Sequence, residues 1–127
     1  MPTGDLSQTT VDILAIAAHR DDVEQTCGGT LLVQQSLGWR TGILDLTQGE
    51  SGTRGTAEDR AREAAEAARI LRVSHREALD LPDGNVENTR ENRLKIRCSS
   101  PPAPTRRNSS LLARPPSGPL HHRNARL

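Results

Sequence analysis

The chain has 127 residues, a length suited to one domain, and is 33% hydrophobic and 26% charged with a formal net charge of +1. Trp39 is the one aromatic residue, so a core must be built from Ala, Val, Ile and Leu, and nucleic-acid recognition by stacking bases on aromatic rings is disfavoured. No apolar run approaches the ~18 residues of a membrane span, and Cys27 and Cys98 lie too far apart to suggest a disulfide framework; the expectation is a cytoplasmic protein with free thiols and no membrane partner.

Residues 1–10 are a polar lead-in. Val11 to Ala18 is short, almost continuously apolar and partly β-branched, which predicts a central strand of a parallel sheet, buried on both faces. The run ends abruptly in His19, Asp21 and Asp22, at the strand's carboxyl end, where open α/β sheets bind their ligands. A helix is predicted from Val23 to Leu37, stopped by Gly38. Gly28 and Gly29 in its first turns each cost about 1 kcal/mol relative to Ala, so a close approach to the sheet or to a ligand is expected there.

Arg40 to Thr47 reads as a second strand, completing a βαβ unit with a right-handed crossover. The loop from Gln48 to Thr56 carries Gly49, Gly52 and Gly55 with Glu50 and Arg54, at the same sheet edge. Ala57 to Arg72 is the clearest helix: Ala57, Ala61, Ala64, Ala65, Ala68 and Leu71 form one stripe, Thr56 can cap it, and Glu58 and Asp59 suit its positive end. Arg76 to Leu81 is a third strand, followed by the turn Pro82-Asp-Gly84, and Asn88 to Ile96 a further helix.

After Ile96 the pattern fails. Residues 1–96 hold all 16 acidic residues, whereas residues 97–127 hold none, with six arginines, six of the eight prolines and five serines. Two readings stand: a disordered tail, and the product of a reading-frame shift in GC-rich DNA. Reading the coding DNA in the other two frames decides between them.

His19, Asp21 and Asp22 carry the chemistry. Imidazole and carboxylate are donors of a catalytic zinc site, and two adjacent carboxylates on a loop point in different directions, so one can bind metal while the other faces the bound water as general base. A polar loop whose aspartates cap the next helix fits the same spacing.

Ala18-His-Arg-Asp-Asp22, Glu24 and Gly28-Gly-Thr-Leu31 resemble the signature A-H-P-D-D-x-E followed by G-G-T-L of the LmbE-like (PIG-L) family of N-acetylglucosaminyl deacetylases. Asp45 to Gly55, the Arg60 to Arg72 helix with Glu63, and Leu79 to Gly84 resemble its next blocks in the right order, so the resemblance covers residues 11–96. It implies a Rossmann-like three-layer α/β sandwich with a parallel sheet, incomplete at its C-terminal half. It also implies zinc-dependent hydrolysis of the N-acetyl group of a GlcNAc-type sugar conjugate. By that resemblance His19 and Asp22 bind Zn2+, Asp21 is the base, Arg54 contacts the sugar and Asp83 lies near the same pocket.

Two departures stand out. Arg20 replaces the signature's proline. The family's back half, with a later H-P-D-H block that supplies the third ligand, has no recognisable counterpart, although His121-His-Arg-Asn-Ala resembles the end of that block and would make His122 the third ligand. His75 reads as a surface histidine. The competing class is a non-catalytic fragment with an incomplete metal site, whose uncovered sheet edge invites pairing with a second copy. A nucleotide-binding module is disfavoured, because no Gly-x-Gly-x-x-Gly follows Ala18 and two acids stand where a phosphate would sit.

Overall fold

Strands and helices alternate through the computed structural model, which describes residues 10–52 and 54–104. They are β1 (Ile13–Ala17), α1 (Asp22–Ser36), β2 (Thr41–Asp45), α2 (Ala57–Leu71), β3 (His75–Ala78) and α3 (Arg90–Ser99). All three strands are parallel, in the order β1-β2-β3, with Ile13 opposite Thr41 and Gly42 opposite His75. Parallel neighbours require crossover connections, and α1 and α2 supply them.

Alternation along β2 sends Ile43 to one face and Leu44 to the other, and both are fully buried. Ile43 packs with Val23 and Leu31 of α1 and Leu71 of α2, while Leu44 packs with Leu79 and Leu81 and, at its margin, Ile96 of α3. The sheet is thus covered by two helices on one side and one on the other, the layered α/β arrangement expected. Each fully buried Ile or Leu contributes roughly 1.5–3 kcal/mol.

Among the described residues, the strand expected to be central is not. β1 has a described neighbour on one side only, and β2 is the strand buried on both faces. Ile16 of β1 remains 49% exposed. An apolar run reports that a strand can be buried; it does not report how many neighbours are at hand.

Helix ends follow local chemistry. Thr56 and Asp59 form a reciprocal capping box, with Asp59 N donating to Thr56 Oγ1 at 3.1 Å and Thr56 N to Asp59 Oδ2 at 3.3 Å. Gly38 adopts φ +92° just after the Leu37 cap of α1. Close approach does not account for the two helical glycines: a methyl at Gly28 would meet Leu71 at an ordinary 3.8 Å, and one at Gly29 would meet nothing within 4 Å.

α3 runs to Ser99, three residues past the Ile96 boundary drawn from the sequence, and Ser99 Oγ donates to Glu77 at 3.1 Å. The chain then returns to the start of the sheet, where the Pro102 carbonyl accepts from Val11 N at 3.2 Å. The lead-in through residue 9, Thr53, and residues 105–127 with His122 lie outside the described residues.

Candidate functional site

Three loops meet at the carboxyl edge of the sheet. The loop after β1 is tied to β2's exit, since Ala18 O accepts from both Thr47 N at 3.0 Å and Thr47 Oγ1 at 2.8 Å. This fixes where His19 begins. His19 N then donates to Asp22 Oδ2 at 3.1 Å, folding the loop into the start of α1.

The imidazole of His19 stands between two carboxylates. Its Nε2 lies 2.7 Å from Asp83 Oδ1, and its Nδ1 lies 3.3 Å from Asp22 Oδ2. Asp83 comes from the turn after β3, which closes with Asn85 N donating to Pro82 O at 3.1 Å. The other oxygen of Asp83 accepts from Ser51 N at 3.1 Å, and Asp83 N donates to Glu50 Oε1 at 2.6 Å. The loops after β1, β2 and β3 are therefore joined through one aspartate. Its hydrogen bond raises the imidazole pKa above the ordinary 6.5, against the opposing pull of burial. The same bond holds the Asp83 carboxyl below its ordinary value.

Asp21 occupies the N-cap position of α1 without a side-chain capping bond, so helix capping is not what this carboxylate does. It is exposed, and Oδ2 accepts from Gln25 Nε2 at 3.2 Å. Asp22 is the first residue of the helix. The adjacent carboxylates thus have different partners, as two roles would require.

The glycine loop after β2 bends over α2. Arg60 lies beneath it: a methyl at Gly52 would fall 2.7 Å from Arg60 Nη1 and 3.1 Å from Gly49 O, so only glycine fits without displacement. Arg60 Nη1 also donates to Arg54 O at 3.0 Å, anchoring the backbone that carries Arg54. His19, Asp21, Arg54, Arg60, Glu63 and Asp83 line a cleft of about 640 Å³. That is the size of a small-molecule site.

Below the cleft is a cluster the sequence reading missed. Arg76 of β3 donates to Asp45 at 3.0 Å, to the Ala64 carbonyl at 3.3 Å, and to Glu24 and the Arg20 carbonyl. Asp45 is 1% exposed, and desolvation raises its pKa against the pull of Arg76. The cluster joins β2, β3, α1, α2 and the His19 loop. The sequence carried little signal for it: Arg76 falls in the polar strand segment His75-Arg-Glu-Ala78, and its carboxylate partners lie in two other elements.

Of the residues singled out in the sequence, His19, Asp21, Arg54 and Asp83 share the cleft and Asp22 stands against His19. His75 is half-buried rather than on the surface, 3.7 Å from Glu77. His122 lies outside the described residues.

The donor pair fits a zinc ion. Two ligands of one tetrahedral zinc stand about 3.4 Å apart at normal bond lengths, and His19 Nδ1 and Asp22 Oδ2 are 3.3 Å apart. No group of three His, Cys, Asp or Glu side chains placed to hold one metal ion exists among the described residues, so the pair alone is not a full ligand set.

A family model described as PIG-L, GlcNAc-PI de-N-acetylase, matches residues 14–111. Among solved structures, a conserved protein of Thermus thermophilus is 49% identical with a TM-score of 0.65, over 68% of this chain and 40% of that one. The N,N'-diacetylchitobiose deacetylase of Pyrococcus horikoshii, solved with an inhibitor, is 28% identical with a TM-score of 0.61, over 66% of this chain and 34% of that one. GalB, a 4-carboxy-2-hydroxymuconate hydratase of Pseudomonas putida, is 26% identical with a TM-score of 0.54, over 70% of this chain and 43% of that one. The chain thus spans two fifths or less of the length of the first two.

Proposed function

The chain belongs to the PIG-L family, and from that premise we propose that it serves the hydrolysis of the N-acetyl group of a GlcNAc-type sugar conjugate. The observation that carries the reading is the convergence of His19, Asp21, Arg54 and Asp83 on one cleft, with Asp22 at 3.3 Å from His19. The chitobiose deacetylase among the similar structures supports an acetylated amino sugar as the substrate class.

His19 and Asp22 would hold a zinc ion, with His122 as third donor. Bound there, zinc makes a water more acidic and polarises the amide carbonyl. Asp21 accepts the proton of the attacking water and returns it to the departing nitrogen, so the water oxygen bonds to the acetyl carbon, the C–N bond breaks, and acetate and the free amine leave. Arg54 presents a fixed cation and hydrogen-bond donors to sugar hydroxyls or to a charged substituent. Cys27 and Cys98 are free thiols, which supports a reducing, cytoplasmic setting.

Zinc content and acetate release from N-acetylglucosamine conjugates test the proposal together. The purified chain binds near one zinc, Asp22→Ala loses it, and Asp21→Asn keeps it while hydrolysis falls about 10²–10⁴-fold. Full hydrolysis in Asp21→Asn overturns the assignment of the base. A chain that takes up no zinc and releases no acetate is the other reading, a non-catalytic fragment.

A further inference from the structure

We propose that Asp83 is a positioning residue: it accepts the Nε2–H of His19, and so leaves Nδ1, beside Asp22, as the nitrogen that faces a divalent metal ion. A neutral imidazole carries one proton, and the two nitrogens here have different carboxylate partners. Nε2 to Asp83 is 2.7 Å, the length of a charge-assisted hydrogen bond, whereas Nδ1 to Asp22 is 3.3 Å. The shielding differs in the same sense. The Asp83 side chain is 9% exposed and that of Asp22 is 43% exposed, so the Asp83 bond competes less with water.

Asp22 has another donor as well. Its Oδ2 already accepts from the His19 backbone N–H at 3.1 Å. The proton therefore belongs between Nε2 and Asp83. The lone pair on Nδ1 then points toward Asp22, at the separation of two ligands on one ion. Asp83 itself is held by the Ser51 and Glu50 bonds, so its carboxylate is fixed before any metal arrives. A carboxylate behind a ligating imidazole sets its tautomer and orientation, and its loss typically costs about 10–100-fold in metal affinity.

The use of this arrangement rests on the metal-dependent reading above, but the first test does not. The ¹⁵N-labelled full chain is examined by ¹H–¹⁵N NMR, metal-free with chelator, with His19 assigned through His19→Gln. The expected spectrum shows a slowly exchanging Nε2–H and an unprotonated Nδ1, lost in Asp83→Ala and kept in Glu50→Ala, which removes the acceptor of the Asp83 backbone N–H and leaves the carboxylate bonded to Ser51 N. Asp83→Leu preserves side-chain volume without an acceptor if the alanine variant does not fold. A proton on Nδ1 of the neutral ring, or the same protected Nε2–H in Asp83→Ala or Asp83→Leu, overturns the proposal.

The second test adds ¹¹³Cd²⁺ or Co²⁺ alone. Cadmium coupling is expected at Nδ1, and Co²⁺ affinity is expected to fall about 10–100-fold in Asp83→Ala but not in Glu50→Ala. Coupling at Nε2 overturns the proposal. A wild-type chain that takes up neither metal overturns the proposed function instead, and the metal-free spectrum still decides the role of Asp83.

Discussion

Two clusters of cation and carboxylate share the segment from His19 to Glu24, and they differ in almost everything but charge. The lower one joins Arg76, Asp45 and Glu24 under the sheet's carboxyl edge, with the Arg76 side chain 9% exposed and that of Asp45 1% exposed. The upper one joins His19, Asp22 and Asp83, with the imidazole 44% exposed and open to the cleft. Burial makes the lower pair mutually dependent, because each charge would be costly without the other. Exposure leaves His19 and Asp22 cheaper to disturb, while Asp83, its side chain 9% exposed, is held by Ser51. The lower cluster sets the shape of the loop, through the Arg20 carbonyl and Glu24, and the upper cluster is where the loop can act.

The largest effect that would break this contrast is expected from Arg76→Met. It strands Asp45 in the interior without its counter-charge and releases the Arg20 carbonyl, which should cost about 3–5 kcal/mol. Urea unfolding of the two proteins measures it. Adding Asp45→Leu should recover much of the loss, since a buried ion pair replaced as a unit by apolar groups is often neutral. Equal stability of wild type and Arg76→Met would mean that the lower cluster does not organise the loop.

How far these clusters were legible in the sequence follows from their range. The upper one was half visible, because His19, Asp21 and Asp22 sit together at the end of one apolar run, and Asp83 sits in a recognisable turn. Their mutual contacts were not, since His19 and Asp83 meet across 64 residues of chain. The lower cluster was invisible because Arg76, Asp45 and Glu24 come from three separate elements, brought together by the register that sets Ile43 opposite Arg76. Element types were readable throughout from periodicity and caps. The edge position of β1 among the described strands was not, because composition records burial capacity and strand order depends on pairing. Gly28 and Gly29 remain without a packing reason in the structure.

A smaller effect is expected above than below. Asp22→Ala removes a carboxylate that is 43% exposed and whose contact with His19 is screened by solvent. Its stability should change by less than about 1 kcal/mol, although it is the variant expected to lose zinc. Thermal unfolding of the metal-free chain checks it. A loss as large as that of Arg76→Met would erase the distinction between the clusters and make Asp22 a structural residue.

The smallest effect is a pH dependence confined to the upper cluster. The folded-state pKa of His19 is raised above 6.5, chiefly by the Asp83 hydrogen bond. The stability this gives is fully present below the unfolded value of 6.5 and is lost as pH rises through the folded value. The Asp83 carboxyl is lowered from 3.8, so its share is present above 3.8 and lost as pH falls through the folded value. The two windows overlap between about pH 4 and about pH 6.5. Metal-free wild type should therefore exceed His19→Gln in stability most within that window, with the margin shrinking toward alkaline pH and with added salt. Urea unfolding of both proteins across this range reads the margin directly. A margin that stays constant, or widens as pH rises, would show that His19 and Asp83 meet without sharing charge, and that the upper cluster differs from the lower in exposure alone.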